Sequence, residues 1–237
     1  MATRKGDRPA VFAVRHGDDP ADDRVHAHLA QAGYRTVPVR AFAGEPIPII
    51  DGATAGIVVF GGGFDAFDHE RNRFLADEQR LIEAAMARNL PVLGICQGAQ
   101  QIAHALGAWV GPSRSGRTEF GYYPVLPSAG AEDFLAAPLI VAQAHFHEFD
   151  LPPGVRQLAK SDHFACQAFS AGSAVAVQFH PEVTPAGFRR WQDAPWAMYG
   201  AKGAQNRAEQ DRLMALHDDA QDAWFRTLLA SLFAPSG

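Results

Sequence analysis

Short apolar segments alternate with stretches of helical periodicity over the first half of the chain. We predict strands at residues 11–14, 36–39, 56–60 and 92–95. The run at 56–60 is fully apolar, which is typical of a strand buried on both faces of a parallel sheet. Strand and helix alternate up to Leu106. This alternation predicts an α/β domain with a mainly parallel central sheet and helices on both of its faces.

Capping residues and apolar spacing predict the helices of this first half. Asp19 followed by Pro20 predicts a helix start, and that helix is expected to run to Gly33. Residues 75–86 keep the spacing of a buried helical face. A further helix is expected after the fourth strand, with Gly107 as its stop signal.

The pattern changes after Gly107, because strand-like runs then follow each other with little helix between them. These runs are residues 109–110, 122–126, 139–142, 166–169 and 174–179. We therefore predict an antiparallel or mixed β extension of the sheet. Helices return from Thr184, and the apolar stripe from Trp224 to Phe233 predicts a helix packed on the domain. No repeat or linker is evident, so one domain is expected over residues 1–237.

Composition restricts the classes of protein to which the chain can belong. Hydrophobic residues make up 47% and charged residues 20% of the 237 positions, and the net charge is -5. These values argue against a nucleic-acid or membrane partner, and no apolar run reaches the length of a membrane span. Two cysteines make no disulfide framework, and the first apolar run is too short for a signal peptide. A cytoplasmic location is therefore expected.

Cys96 lies at a sharp junction between a predicted strand and a predicted helix. Gly94 and Gly98 flank it, and only small neighbours leave room for a side chain in so tight a turn. The junction would place the sulfur at a helix N-terminus, where free N–H groups and the helix dipole favour the thiolate. The alternative is a buried structural cysteine, which is the commoner fate of this residue type.

A histidine and a glutamate close the apolar run that begins at Ala174. His180 and Glu182 are two residues apart and therefore share one face of an extended chain, while Pro181 fixes the backbone between them. The carboxylate can then orient the imidazole ring. A thiol, a histidine and an orienting carboxylate form an acyl-transfer triad, whereas an isolated pair of this kind is more commonly solvated.

Together the two segments resemble the class I (triad-type) glutamine amidotransferases. The family pattern G-x-C-x-G-x-Q is matched by residues 94–100, and the family motif H-P-E by residues 180–182. The resemblance is to stand-alone members similar to the amidotransferase domain of GMP synthase, and it implies their flavodoxin-like fold. It also implies that Cys96 is the nucleophile, His180 the base and Glu182 the residue that orients this base.

The reaction that the resemblance implies is hydrolysis of the glutamine side-chain amide, with ammonia released through a glutamyl thioester on Cys96. The oxyanion of such a reaction needs fixed N–H donors. The backbone N–H of Gln97 is one candidate, and the resemblance points to Gly62 as the second. Glycines 61–63 could instead cradle a phosphate or form a flexible turn, but no G-x-G-x-x-G or following Lys-Ser/Thr supports a phosphate site. Gly63 stands where the family usually has proline.

The resemblance also implies substrate contacts, although two of these positions depart from the family pattern. Gln100 matches a glutamine that contacts the substrate; the alternative is a polar residue on the helix surface. His145 matches a histidine beside the substrate's α-carboxylate, but Phe146 and His147 replace the usual glycine and the usual Asp or Tyr. Two histidines without a third ligand are weak evidence for a metal, so neither a metal nor a cofactor is expected.

Two reactions and one non-catalytic role remain open. The chain could be a glutaminase-type amidotransferase that delivers ammonia to a separate acceptor or synthetase subunit. It could instead hydrolyse a γ-glutamyl peptide or a γ-glutamyl amine, because the first bond-breaking step is the same and only the leaving amine differs. The intact cysteine, histidine and glutamate argue against a non-catalytic regulatory module. Cys166 lies in an apolar run and is expected to be inert.

Overall fold

The computed structural model describes residues 8–234, so the first seven and the last three residues of the predicted domain lie outside the described range. Strands β1 to β11 are, in chain order, Ala10–His16, Arg35–Val39, Thr54–Gly62, Val92–Ile95, Val110–Pro112, Glu119–Pro127, Leu139–His145, His147–Phe149, Arg156–Lys160, Ala168–Ala171 and Ala174–Val177. Helices α1 to α5 are Arg24–Gln31, Phe74–Ala87, Gln97–Ala105, Pro185–Gln192 and Arg207–Leu232. A short 3₁₀ helix at Ala41–Ala43 follows β2.

Nine strands form one sheet in the order β2-β1-β3-β4-β11-β10-β9-β6-β7. The first five strands in this order are parallel to one another. From β11 onward each neighbouring pair is antiparallel. Strands β5 and β8 form a separate antiparallel pair. The predicted α/β class, with a parallel centre and a mixed β extension, is confirmed.

Alternate residues of the central strands face two separate apolar layers. In β1, Val11 and Ala13 pack in the layer that contains side chains of α1 and α5, whereas Phe12 and Val14 pack with α2 and α3. Successive residues of a strand point to opposite faces, so helices cover each face of the sheet. The prediction of helices on both faces is confirmed.

The first helix begins later than its sequence signals predict. It starts at Arg24, and the side chain of Asp23 caps it by accepting a hydrogen bond from the His26 backbone N–H at 3.0 Å. The predicted start at Asp19 is wrong because the chain is still a loop there, and the Arg15 guanidinium donates to the Asp19 carbonyl. This loop lies at the mouth of the cleft described below.

The last helix is much longer than its apolar stripe. It spans 26 residues, and the Asn206 side chain caps it by accepting from the Glu209 backbone N–H at 2.9 Å. Its first half buries the polar side chain of Gln210, which an apolar pattern does not reveal. Strands β8 and β9 were not predicted for the same reason, since both carry charged residues. None of the helices between residues 8 and 234 has the length and apolarity to cross a membrane.

Candidate active site

Cys96 occupies the strained turn between β4 and α3. Its backbone has φ 51° and ψ -106°, a conformation that costs free energy for a residue with a side chain. The turn leaves no room at its flanking glycines. A methyl group at Gly98 would overlap the Val59 carbonyl, and one at Gly94 would lie 2.5 Å from Ile102 Cδ1. The two glycines are therefore required for the elbow that places the thiol at a helix N-terminus.

Strand β11 brings the histidine segment to the cysteine. β11 pairs in parallel with β4, with Val177 opposite Ile95, and the Cys96 backbone N–H donates to the Val177 carbonyl at 2.8 Å. The carboxyl ends of parallel strands meet at one edge of a sheet, so the residues after Val177 pass beside the sulfur. There His180 Nδ1 lies 2.8 Å from Glu182 Oε1, with both side chains buried. The structure thus brings the three predicted triad residues together.

The surroundings of His180 favour its charged form. Burial alone would lower the pKa of the imidazole, but the Glu182 carboxylate and the Cys96 sulfur raise this pKa to about 10. Because His180 Nδ1 is hydrogen-bonded to Glu182, Nε2 is the ring nitrogen that is left to interact with the Cys96 sulfur. The ring of Trp191 packs edge-on against His180, with ring centroids 4.8 Å apart. At neutral pH the imidazole of His180 therefore carries a proton that it can donate.

The glycine loop closes the other side of the nucleophile. A methyl group at Gly61 would lie 2.7 Å from His180 Cε1 and 3.4 Å from Cys96 Cβ. At Gly62 it would overlap the Cβ of His16 and lie 2.6 Å from Gln97 Oε1. The loop can therefore approach the triad only because it lacks side chains. The oxyanion roles of the Gly62 and Gln97 N–H groups stay predictions that this placement is consistent with.

Gln100 lies behind the nucleophile. Its side chain is buried, and its Nε2 donates to Gln178 Oε1 at 3.1 Å, while Gln178 Nε2 lies 3.6 Å from Cys96 Sγ. Gln100 is thus neither a helix-surface residue nor part of the cleft lining. Gln178 was not predicted as a site residue, although its position two residues before His180 places both side chains on one face of an extended chain.

Of residues 145–147, only Phe146 has its side chain in the cleft. His145 is buried and uses both ring nitrogens, with Nδ1 2.8 Å from the His147 carbonyl and Nε2 3.0 Å from Glu119 Oε2. His147 Nε2 lies 3.5 Å from Asp65 Oδ1, and burial lowers the pKa of the His147 imidazole despite that carboxylate. Phe146 is 51% exposed and lines the cleft. The predicted substrate contacts of the two histidines remain untested, but neither residue is part of the cleft lining.

The triad opens into a cleft of about 780 Å³. Its walls are the glycine loop, the loop after β1, helix α4 and the segment after α4 that carries Trp196 and Met198. Clefts of this size hold small organic ligands. His16 also borders the cleft although its side chain is buried, and no local motif around it marks it in the sequence.

The sequence model of one protein family, described as "Glutamine amidotransferase class-I", matches residues 23–190. The chain belongs to this family. The matched span contains Cys96, His180 and Glu182, so the segments that carry the amidotransferase motifs lie inside it.

Relatives of this amidotransferase-family chain agree with that assignment. It is 35% identical over 137 residues to a GMP synthase [glutamine-hydrolyzing] of Thermomicrobium roseum, covering 56% of this chain and 24% of the relative. It is 34% identical over 161 residues to a glutamine amidotransferase-like protein of Salmonella typhimurium, covering 64% of this chain and 66% of the relative. The chain thus spans about a quarter of the GMP synthase that it matches. The predicted resemblance to GMP synthase-like amidotransferases is confirmed.

Solved structures show the same fold over nearly the whole chain. A glutamine amidotransferase of Thermotoga maritima matches with a TM-score of 0.79 and 25% identity, covering 95% of this chain and 98% of the other. A second structure, from Methylobacillus flagellatus, matches with a TM-score of 0.85 at 22% identity, which shows the fold alone. The shared fold therefore extends over 95% of this chain in the first of these comparisons and 97% in the second.

Proposed function

We propose that the chain hydrolyses the side-chain amide of glutamine and releases ammonia through a glutamyl thioester. The observation that carries this proposal is the meeting of Cys96, at a strained helix N-terminus, with the buried His180–Glu182 pair in an open cleft. A thiol, a base and an orienting carboxylate are the parts that cysteine acyl transfer requires. Family membership supports the same chemistry.

In the first half-reaction, the Cys96 thiolate attacks the amide carbonyl carbon of the substrate. The carbonyl oxygen gains the electron pair, and the N–H groups of Gln97 and Gly62 are the proposed donors to it. When the tetrahedral intermediate collapses, the C–N bond breaks and the His180 imidazolium gives its proton to the departing nitrogen. The raised pKa of His180 supports this donor role, because the proton is present at neutral pH.

In the second half-reaction, water cleaves the thioester. Neutral His180 takes a proton from the water as its oxygen attacks the thioester carbonyl carbon, and the C–S bond then breaks. Glutamate leaves, and the thiolate–imidazolium pair is restored. Glu182 keeps the ring oriented throughout, since it holds Nδ1 at 2.8 Å. No step requires a metal or a redox group.

A separate synthetase subunit is the proposed acceptor of the ammonia. The support is that a relative of this chain from Thermococcus kodakarensis, 36% identical over 98 residues, is by its name one subunit of a GMP synthase [glutamine-hydrolyzing]. Co-purification of a tagged chain with an ATP-dependent synthetase, followed by a glutaminase assay of the complex, tests this part. Turnover that is unchanged by every co-purified protein would argue for the alternative below.

The aromatic wall beside His180 favours a second candidate, hydrolysis of a γ-glutamyl amine or γ-glutamyl peptide. The leaving nitrogen departs on the side of the group that protonates it, which is His180. On that side Trp191 contacts the ring, and Trp196 follows with its centroid 6.0 Å from that of Trp191. Trp196 is 51% exposed and lines the cleft. Ammonia needs no such wall, whereas a larger amine would contact it.

One assay separates the two candidates. The purified protein is incubated with glutamine and with γ-glutamyl conjugates whose amines increase in size, and released ammonia, amine and glutamate are measured. Hydrolysis of glutamine with little activity on the conjugates supports the first candidate, and the opposite order supports the second. Cys96→Ser is the control for both. Absence of any γ-glutamyl hydrolysis, with or without co-purified proteins, would contradict the proposed function.

A further inference from the structure

A second buried histidine–carboxylate pair lies next to the glycine loop. His16 ends β1, and its Nε2 lies 2.9 Å from Glu78 Oε2, with both side chains fully buried. Its Nδ1 lies 3.1 Å from the Phe60 carbonyl oxygen and 3.4 Å from the Gly61 carbonyl oxygen. Carbonyl oxygens only accept hydrogen bonds, so Nδ1 carries a proton and donates it to this strand end.

The Glu78 carboxylate ties three elements of the fold together. Glu78 lies on α2, and its Oε2 also accepts a hydrogen bond from Gln101 Nε2 of α3 at 2.9 Å. Gln101 lies on the same helix that begins at Cys96. Burying a carboxylate is costly unless it is paired, so the pair holds His16 in one orientation relative to the nucleophile helix.

Of the two peptide units whose carbonyl groups His16 Nδ1 contacts, the second, between Gly61 and Gly62, carries the proposed oxyanion donor. The carbonyl of Gly61 and the N–H of Gly62 belong to the same planar trans peptide, so they point in opposite directions. A donor fixed on the Gly61 carbonyl therefore fixes the direction of the Gly62 N–H as well. The backbone also sits directly against His16, since a methyl group at Gly62 would overlap the His16 Cβ.

The other side of the loop is held from the nucleophile helix. Gln97 Oε1 accepts a hydrogen bond from the Phe64 backbone N–H at 3.0 Å and would lie 2.6 Å from a Gly62 methyl group. His16 and Gln97 thus enclose the glycine loop from two directions. Gly63 has open space where its side chain would be, so the next residue of the loop adds no such restraint.

We propose that His16, held by Glu78, is a positioning residue that aims the Gly62 N–H at the oxyanion. The inference rests on the proposed function, because it assigns His16 to the acyl-transfer step. His16 touches no reacting atom in this scheme, and it acts through the peptide between Gly61 and Gly62. Its loss should weaken stabilisation of the oxyanion and leave the thiolate itself intact.

Two matched substitutions of His16 test separately its contact with the glycine loop and its contact with Glu78. His16→Asn keeps an N–H donor near the position of Nδ1, and so keeps the bond to the loop while losing Glu78. His16→Gln keeps a donor near the position of Nε2, and so keeps Glu78 while losing the loop. We expect His16→Gln to lower kcat by about 10²-fold, the cost of a lost oxyanion donor, with KM little changed. His16→Asn should lose less than about tenfold.

Alkylation of Cys96 by iodoacetamide separates positioning from a general structural role. This displacement forms no oxyanion, so the rate should stay within about twofold of wild type in both variants. A second readout is the affinity for the γ-aldehyde analogue of glutamate, which adds to the thiol and places an oxygen where the oxyanion forms. This affinity should fall with His16→Gln and be largely retained with His16→Asn.

The outcomes distinguish this inference from the proposed function. Equal kcat for His16→Asn and His16→Gln, or loss of alkylation in parallel with turnover, would overturn the role of His16 while the proposed function stands. If a variant turns over too slowly to measure, the aldehyde affinities decide in the same way. Wild-type protein without any γ-glutamyl hydrolysis would overturn the proposed function and this inference with it.

Gln192→Leu, in a buried polar contact between α4 and α5, controls for loss of stability.

Discussion

The two cysteines of this chain are equally buried but lie in different surroundings. Cys96 and Cys166 are each 5% exposed, and both are free thiols. Cys96 lies at a helix N-terminus beside His180, whereas Cys166 packs in the apolar layer with Phe149 and Phe169. Burial raises the pKa of the Cys166 thiol to about 12. Because the exposed fraction is the same, the two cysteines differ in the charged groups and the helix dipole around them.

The difference follows from where each cysteine falls in the sheet. Cys96 follows a parallel strand, and in parallel sheets the helix N-termini and the strand ends gather at one edge. Cys166 precedes β10, in the antiparallel part, where strands turn directly into strands and no helix begins. The only hydrogen-bond contact described for its sulfur is the Ala168 carbonyl at 3.9 Å. Cysteine is thus a candidate nucleophile in the parallel half of the sheet and an apolar packing residue in the antiparallel half.

Serine substitution of each cysteine should give the largest effect. Cys96→Ser is expected to lower kcat/KM by at least about 10⁴-fold, as for the loss of other nucleophiles. Cys166→Ser should leave kcat unchanged and cost about 1–3 kcal/mol of stability, because it buries a hydroxyl in an apolar layer. Activity assays measure the change in kcat/KM and kcat, and denaturant unfolding measures the change in stability. An electrophilic glutamine analogue should label Cys96 and not Cys166. Labelling that persists in Cys96→Ser would contradict this difference between the two thiols.

Substitutions of the histidine–glutamate pair test what activates Cys96. His180→Ala should lower kcat by about 10²–10⁴-fold, since in the proposed mechanism this residue moves protons in both half-reactions. Glu182→Gln should cost less, because it only orients and stabilises the ring. The exposed His163, on the loop that leads to Cys166, offers the control His163→Ala, which should be neutral. Full activity of Glu182→Gln, with His180 still required, would remove the carboxylate from the site.

Phe146 should limit how well free glutamine reaches Cys96. Its half-exposed ring stands in the cleft where relatives in the resemblance carry glycine, so Phe146→Gly is expected to raise kcat/KM for glutamine about tenfold, or about 1.4 kcal/mol. His147→Asp, the other change toward the common pattern, would place a second carboxylate beside Asp65 and is better tested separately. Phe67→Ala, a partly exposed ring outside the cleft lining, is the control. Ordinary enzyme efficiency of wild type on glutamine alone would refute this.

The pH dependence of stability tests the same comparison without an assay of turnover. The pKa of His180 rises from 6.5 to about 10 on folding, so its contribution is fully present below pH 6.5 and lost as pH rises through about 10. The pKa of Cys166 rises from 9.0 to about 12, so its contribution begins to fall only above pH 9. Urea unfolding between pH 6.5 and 9 should therefore show a decline that His180→Gln flattens and Cys166→Ala leaves in place. Equal slopes in wild type and His180→Gln would contradict this.

The sequence is most informative where chemistry is local. The elbow at residues 94–98 and the motif at 180–182 are each a few residues long, and parallel strand ends bring them together without further information. The His16–Glu78 contact could not be predicted, because it joins β1 to α2 across 62 positions and no period connects them. The contact between His145 Nε2 and Glu119 could likewise not be predicted. The two residues lie on different strands, and the sequence does not show that these strands pair.

The neighbouring positions of β4 and β11 have a consequence for the chain during its synthesis. Cys96 leaves the ribosome well before Val177, whose carbonyl accepts its N–H, and before the base that follows. At about 5–20 residues per second the interval lasts several seconds. Throughout this interval the thiol has neither its fixed turn nor the imidazole of His180 beside it. The proposed hydrolytic activity is therefore expected only after the central sheet has closed, and its appearance would report on that step of folding.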